Sequence, residues 1–405
     1  MKILFYNHTS QVSGAERVLL LILARLNRSR FEAVLVCPSA GQLQKEAKAL
    51  DILCADVEQL NARFTWRIDA LIRYFASFGS TIRRVRARVR EHQPDVIHAN
   101  SVRAGLVISA ATIGLRIPIV WHIHDLLPKH PLSTCIRLFT LLRPPRRIVV
   151  VANAAAERFK GKLLRRFPQR VKVAVVYNAI EVAKPRPTST NVSIRKELRI
   201  RSSDRLIGIV GNLSPVKGQL ELIWAFAETR KRIPNLTLLI VGSALFNRSD
   251  GYQKLLAAEV RILGLDPYVR FLGQRNDVAA IMGALDLLVM NSRSEAFPLV
   301  ALEGMAVGVP VLATEVGGLP ELITHETNGW LVPFGDEEKL VDGIASLLEQ
   351  PQLSTRLATQ GRQYVTKTFP VHEFMTRIEA MYTETAEKLA RAVREQLVPL
   401  SSETS

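Results

Sequence analysis

Two carboxylates, Glu295 and Glu303, stand eight residues apart in Ser294-Glu295-Ala296-Phe297-Pro298-Leu299-Val300-Ala301-Leu302-Glu303. The apolar run Leu285-Asp286-Leu287-Leu288-Val289-Met290 before them reads as a strand. The small-residue stretch from Pro298 to Val307, closed by Gly308, reads as a helix. A second strand, Val309 to Ala313, leads to Val316-Gly317-Gly318-Leu319-Pro320-Glu321, which opens another helix. Acids therefore lie in one loop and a glycine pair at the next helix start. Carboxylates accept hydrogen bonds from sugar hydroxyls. A helix start after Gly-Gly offers N–H groups and a positive dipole end to a diphosphate. Such a layout suits a sugar nucleotide.

The elements that must hold these residues alternate along the whole chain. Ile3–Tyr6, Ala33–Cys37, Val96–Ala99, Ile119–His122 and Ile148–Val151 are short apolar runs rich in β-branched residues, separated by helical patterns. Leu206–Val210, Leu236–Val241, Val269–Leu272, Leu287–Met290 and Val309–Ala313 repeat the scheme in the second half. Alternation of this kind implies an α/β chain with mostly parallel sheets covered on both faces. Ligands of such sheets sit beyond the carboxyl ends of the strands. Two doubly wound domains facing each other across a cleft are expected, with the active site in the cleft. The expected domains are 1–180 and 204–369, joined by a proline-rich linker at 181–203. A final helix, 370–398, is expected to cross back to the first domain, and Pro399 to Ser405 to fray.

From Lys2 to about Tyr382 the chain resembles the family-4 retaining glycosyltransferases, which have the GT-B fold. The family signature is Glu, seven residues, Glu. Here the pair is set in Ser-Glu-Ala-Phe-Pro-Leu-Val-Ala-Leu-Glu-Gly-Met-Ala-Val-Gly-Val-Pro-Val-Leu-Ala-Thr, continuing to Gly-Gly-Leu-Pro-Glu-Leu-Ile. The context, more than the bare spacing, gives the match its specificity. The resemblance implies that Glu295 contacts hydroxyls of the donor sugar and that Glu303 holds both ribose hydroxyls. It implies that the backbone N–H groups of Phe297, Gly318 and Leu319 meet the sugar and diphosphate.

Gly211-Asn212-Leu213-Ser214-Pro215-Val216-Lys217-Gly218 follows the first strand of the second domain. The family pattern there is Gly-Arg-Leu-x-x-x-Lys-Gly, whose Arg and Lys neutralise the leaving diphosphate. Lys217 matches. Asn212 stands where the family has Arg, and Arg275 or Arg293 are candidates to replace its charge. Taken alone, Lys217 would read as an exposed turn lysine; its place before Gly218 and a helix favours phosphate contact. Ser13-Gly14 replaces the family's Gly-Gly after the first strand, and Gly14 is free to take a positive φ. His124-Asp125 matches a family His-Asp pair near the transferred sugar. His98 and His122 read as structural histidines, and Asn178 as a backbone-capping residue at the hinge. Acceptor contacts are expected from Arg103 to Gly105 and Leu126 to Pro131. Retention is expected by front-face substitution, the leaving phosphate helping to deprotonate the acceptor.

No Asp-x-Asp and no His/Cys ligand cluster occurs, so neither metal nor cofactor is expected. The three cysteines, Cys37, Cys54 and Cys135, are scattered, as in a reduced compartment. No secretory signal and no transmembrane segment are read, so a cytoplasmic chain is expected. The length of 405 residues suits two domains, and 48% hydrophobic with 22% charged residues suits a globular enzyme. The net charge of +17 is uneven: residues 1–200 carry +21 and residues 201–405 carry −4. An arginine-rich helix accounts for much of it. Leu71, Phe75, Phe78, Ile82, Val85 and Val89 form its apolar stripe. Arg63, Arg67, Arg73, Arg83, Arg84, Arg86, Arg88 and Arg90, with Phe64, Trp66 and Tyr74, surround that stripe. Two readings follow: a solvated face over a core stripe, or attachment to an anionic membrane.

The leading expectation is transfer of a hexose or related sugar from a nucleoside-diphosphate sugar to a lipid-linked or surface-polysaccharide acceptor. The alternatives are a GT-B phosphorylase using glycosyl phosphate, and a non-catalytic membrane-recruited or nucleic-acid-binding protein. No nucleic-acid recognition motif is present, so nucleic acid is not an expected partner.

Overall fold

The computed structural model describes residues 1–39, 41–60, 68–181, 194–244 and 250–397, without the side chains of 68–76, 250 and 389–397. The chain divides into two compact units, Met1–Tyr177 with His372–Ser405, and Asn178–Val371. The first lies three residues short of the expected boundary, and the part of the expected linker at 194–203 belongs to the second unit. Linker residues 182–193 and the expected frayed tail Pro399 to Ser405 lie outside the described residues. So do Arg63, Phe64, Trp66 and Arg67, together with the side chains of Leu71, Arg73, Tyr74 and Phe75.

The first unit holds a parallel sheet of β1 (Lys2–Tyr6), β2 (Glu32–Pro38), β3 (Leu53–Val57), β4 (Val96–Ala99), β5 (Ile119–Ile123), β6 (Arg147–Val150) and β7 (Val173–Val175). Their order is β3-β2-β1-β4-β5-β6-β7. The second unit holds β8 (Arg205–Val210), β9 (Leu236–Val241), β10 (Val269–Gly273), β11 (Leu287–Met290), β12 (Val311–Thr314) and β13 (Trp330–Val332), in the order β10-β9-β8-β11-β12-β13. Each sheet thus grows outward in both directions from a central pair, β1 with β4 and β8 with β11. At such a reversal the connections leave on opposite faces, and a crevice opens above the carboxyl ends of the pair.

Central strands are apolar along their length because helices cover both faces. Ile3, Leu4, Phe5 and Tyr6 are all fully buried, as are Leu287, Leu288 and Val289. Three strands absent from the sequence reading, β3, β7 and β13, are all edge strands. Their runs are short or only half-buried, so no continuous apolar signal marks them.

The last helix, Val371–Leu397, belongs from His372 onward to the first unit. Tyr382 is fully buried there, edge-on to Phe5 and Phe31 with ring centroids 6.1 and 6.3 Å away. Glu379 accepts the Asn27 N–H at 2.9 Å, and Glu384 pairs with Arg147 at 2.9 Å. In the arginine-rich helix, Ile68–His92, Val85 and Val89 are fully buried, so this part of the apolar stripe is core. Several of its arginines have structural partners. Arg86 donates to the carbonyls of Ala111 and Ile113 at 2.8 and 2.7 Å, capping the end of the helix Val102–Ala111. Arg84 pairs with Glu58 and Arg88 with Glu91. Among the described residues no helix is long and apolar enough to cross a membrane.

The helix Val102–Ala111 lies flush on β5. A Cβ added at Gly105 would stand 2.3 Å from the indole of Trp121, which is itself fully buried and donates to Ser109 Oγ at 3.1 Å. Gly105→Ala therefore sets a helix-propensity gain of at most ~1 kcal/mol against overpacking of roughly 1–3 kcal/mol. Net destabilisation of the first unit is expected in denaturant unfolding. Equal or greater stability in the variant would refute this packing account.

Candidate functional site

The loops after β8 and β11 meet above the reversal point of the second sheet. The first runs Gly211 to Gly218 and contains the short 3-10 turn Pro215–Lys217. Gly211 and Gly218 have φ of +148° and +68°, and a Cβ on Gly218 would stand 1.9 Å from the Asn291 carbonyl oxygen. Only glycine lets the two loops come this close. Asn291, directly after β11, donates from Nδ2 to the Gly218 carbonyl at 3.0 Å. Gln219, buried at the start of the helix Gln219–Arg232, donates to the Asn212 carbonyl at 3.0 Å. The loop is thus pinned from both ends.

This places Lys217 against Glu295, whose residues are 78 apart in sequence. Lys217 Nζ lies 2.5 Å from Glu295 Oε1, and Ser292 Oγ donates to the same oxygen at 2.7 Å. Both side chains are largely withdrawn from water, at 22% and 10% exposure. Among the described residues Glu295 Oε2 has no hydrogen-bond partner, and Lys217 has two N–H donors left. The pair therefore offers a carboxylate oxygen and a cation side by side. Glu303 lies on the helix Leu299–Val307, about 6 Å further along its axis than Leu299 at 1.5 Å per residue.

The glycine pair after β12 behaves differently from the sequence expectation. Gly318 N–H donates to the Glu295 carbonyl at 3.1 Å, and Leu319 N–H to Val316 at 3.1 Å. The helix Leu319–Leu322 is a single turn; the Gly318 N–H closes onto the Glu295 loop, and the Leu319 and Glu321 N–H groups close local turns onto Val316 and Gly318. The Gly318 bond fixes the backbone beneath the Glu295 carboxylate. Phe297 is buried, with its ring 5.4 Å from Phe369, and its carbonyl accepts from Asn178 Nδ2 at 3.0 Å. Asn178 therefore caps a backbone carbonyl of the signature loop.

Asn212 brings no charge, and the two arginines considered as substitutes are engaged elsewhere. Arg275 is held by Asp277 and Glu197 at 2.7 and 2.9 Å, and these partners raise its pKa. Arg293 reaches Glu221 at 2.5 Å. Among the described residues no group of three or more His, Cys, Asp or Glu side chains is placed to hold a metal ion.

In the first unit, polar groups gather at the corresponding reversal, where β1 and β4 end. Gly14 opens the helix Gly14–Arg25 without the positive φ that its sequence allowed, and the space beside its Cα is open. Behind it runs a directional chain. Asn7 Nδ2 donates to the buried Glu16 carboxylate at 3.2 Å and to the Thr9 carbonyl at 2.8 Å. Its Oδ1 then accepts from Asn100 Nδ2 at 3.1 Å, and Asn100 Oδ1 faces His124 Nε2 at 2.9 Å. An amide oxygen can only accept, so His124 carries its proton on Nε2. Its Nδ1 is left as a buried acceptor without a partner among the described residues. Asn7 and Asn100 gave no sequence signal beyond following a strand, and neither did Asn291 or His8. His98 and His122 are structural, as expected: both are fully buried, and His98 Nδ1 meets Tyr382 Oη at 2.8 Å. Arg103 and Gly105 lie in the first turn of a helix and not in a loop.

Comparisons with known proteins agree with this layout. Residues 12–184 match the model of Glycosyltransferase Family 4, and residues 191–364 that of Glycosyl transferases group 1. The N-acetyl-alpha-D-glucosaminyl L-malate synthase of Bacillus anthracis is 31% identical over 190 residues, 47% of this chain and 48% of that one. The D-inositol 3-phosphate glycosyltransferase of Corynebacterium efficiens is 32% identical over 223 residues, 54% of this chain and 51% of that one. The chain thus spans about half the length of these relatives. Among solved structures, Anabaena Alr3699/HepE in complex with UDP-glucose superposes with a TM-score of 0.81 at 27% identity, covering 95% of this chain and all of that one. WaaG, a glycosyltransferase involved in lipopolysaccharide biosynthesis, shares the fold, with a TM-score of 0.70 at 18% identity over 94% of this chain and 99% of that one.

The buried imidazoles make the first unit sensitive to acid. Burial lowers the pKa of His98 and His124 to about 3, and nearby His124 adds to the effect on His98. Burial, then Arg103, lowers His8 to about 3, and His122 falls well below its usual 6.5. A group whose folded pKa is depressed stays neutral in the fold while the unfolded chain takes up a proton. Stability is therefore full above 6.5 and is lost as pH falls towards 3, by about 1.4 kcal/mol per pH unit for each such histidine. Hydrogen exchange, corrected for intrinsic rates, is expected to show protection of β1, β4 and β5 falling between pH 7 and 5.5 more steeply than that of β8 and β11. An equal fall in both sheets would contradict it.

Proposed function

The chain belongs to the family-4, group 1 glycosyl transferases, and on that premise we propose that it moves a sugar from a nucleoside diphosphate to an acceptor hydroxyl. The observation that carries the reading is the Lys217–Glu295 pair at the reversal point of the second sheet. A nucleotide sugar brings what each partner needs. Its diphosphate supplies negative charge to the Lys217 ammonium, and its sugar hydroxyls supply donors to Glu295. Glu303, further along the helix, takes the ribose hydroxyls. In this reading the second unit binds the donor and the first unit the acceptor. Phe297, Gly318 and Leu319 shape the donor's seat, Gly318 by holding the Glu295 backbone in place and Leu319 by closing the turn onto Val316.

The bond from the anomeric carbon to the diphosphate breaks as the bond to the acceptor oxygen forms on the same face. The leaving phosphate oxygen takes the acceptor's proton, and the nucleoside diphosphate departs. Lys217 stabilises the charge that develops on that oxygen, which is its catalytic role without a metal. In this reading His124, held through Nε2 by Asn100, packs its ring beside the transferred sugar. The UDP-glucose complex of HepE supports a uridine diphosphate hexose as donor. For the acceptor, the relatives' names point to hydroxyl groups on an acid or an inositol phosphate. A lipid-linked or polysaccharide acceptor remains the broader alternative, and an anionic membrane fits the charge of the first unit.

The test is release of nucleoside diphosphate from UDP-, GDP- and ADP-sugars without added metal. Slow hydrolysis of a UDP-sugar is expected. Lys217→Met should lower it by about 10²–10³-fold, the usual effect of losing one such donor. Glu303→Ala should weaken UDP binding. Saturating UDP at about 100 Kd should stabilise the wild-type fold by about 2.7 kcal/mol. If no donor is turned over and none stabilises the protein, the reading fails.

A further inference from the structure

Arg103 sits at the β1–β4 reversal of the first sheet, held by a residue that its own sequence neighbourhood does not suggest. Its NH1 lies 3.1 Å from His8 Nε2. A guanidinium has donors only, so Nε2 must accept. The His8 proton then resides on Nδ1, 3.1 Å from Ser101 Oγ, which also accepts the Ala104 N–H at 3.0 Å. His8 is 9% exposed and Ser101 equally so. A buried, tautomer-fixed imidazole therefore orients one edge of a half-exposed arginine.

Three features mark this arginine as more than a cover for His8. Among the described residues no carboxylate pairs with it, whereas Arg84, Arg88 and Arg147 in the same unit all have acidic partners. The acid of the neighbouring helix start, Glu16, is committed to Ser13 and Asn7. Arg103 also stands in the first turn of the helix Val102–Ala111, which carries no acid there. A cation at a helix N-terminus opposes the macrodipole and costs about 0.3–1 kcal/mol. That placement lowers stability unless an anion arrives to meet both the dipole and the guanidinium.

We propose that Arg103 binds a carboxylate or phosphate group of the acceptor, with His8 as its positioning residue. The binding of an anion follows from this geometry alone; its identity as the acceptor's group rests on the function proposed above. One N–H of Arg103 is taken by His8, and the remaining donors can form a paired contact with two anionic oxygens. The acceptor is then a hydroxylated acid or phosphate ester, with the charged group held away from the reacting hydroxyl.

The experiment uses the full chain saturated with UDP, so that Lys217 is occupied, at fixed ionic strength. Inorganic phosphate and L-malate are the anion probes, with neutral malamide as control, and affinity is read by calorimetry. Hydrogen exchange locates the protection. Wild type is expected to bind both anions but not malamide, with protection over residues 100–110. Arg103→Gln and His8→Leu should weaken anion binding about tenfold or more, the loss of a charged hydrogen bond. His8→Gln, whose amide oxygen can accept the same N–H, should restore most of it. UDP affinity should be unchanged in all three variants. No anion binding by wild type, or equal binding by Arg103→Gln, overturns the proposal. Absent UDP binding would instead sink the donor assignment, and the anion titration would still decide the role of Arg103.

Discussion

The ion pair between Lys217 and Glu295 can form only because β8 and β11 are neighbours. Everything near it serves that closeness. Gly218 gives up its side chain, Asn291 clamps the Gly218 carbonyl, and Gly318 holds the Glu295 backbone. A pair so far withdrawn from water is costly to leave half-made: removing one partner of a buried pair commonly costs about 3–5 kcal/mol. The pair also keeps each charge compensated while no ligand is present. A ligand can enter without stranding either charge only if it carries an anion for Lys217 and hydroxyls for Glu295 together. In the proposed function, stability and donor selectivity therefore rest on the same contact.

The first unit solves a different problem with neutral groups. Its reversal point is filled by Asn7, Asn100 and His124, oriented in sequence from the buried carboxylate of Glu16, and by His8, which is held by Ser101 and Arg103. Each amide is fixed by the bond before it, so the final imidazole presents a defined nitrogen. Beneath them His98 and His122 meet edge to face with ring centroids 5.2 Å apart, and the last helix seals His98 with the Tyr382 hydroxyl. The neutrality of these rings comes from burial, which makes the charged form too costly. The polar chain thus gains rigidity from the core below it.

The excess of positive charge in the first 200 residues resolves into separate roles. Arg86 caps a helix, Arg147 ties down the last helix, and Arg84 and Arg88 hold carboxylates. Arg83 and Arg90 are exposed, and Arg103 is oriented by His8 without an acidic partner. In the second unit Arg275 and Arg293 are bound to acids, so Asn212 leaves the Gly211–Gly218 loop with the charge of Lys217. Net charge alone could not distinguish a structural guanidinium from one that awaits an anion, because the difference lies in which acids stand nearby.

The sequence by itself determined the two doubly wound sheets, because central strands covered on both faces must be apolar throughout, as Ile3–Tyr6 and Leu287–Met290 are. It also singled out Glu295, Glu303 and Lys217, whose types and flanking glycines carry a chemical meaning even before folding. Edge strands such as β13 escaped it, since a half-covered strand needs no continuous apolar run. Only the tertiary structure decided that Lys217 meets Glu295, that Gly318 spends its N–H on a neighbouring loop, and that Asn178 anchors Phe297. Only the fold brought His8 beneath Arg103. Such pairings join residues far apart in the chain, and their strength depends on exclusion of water. Local sequence records neither the partner across the sheet nor the burial that sets a proton's place.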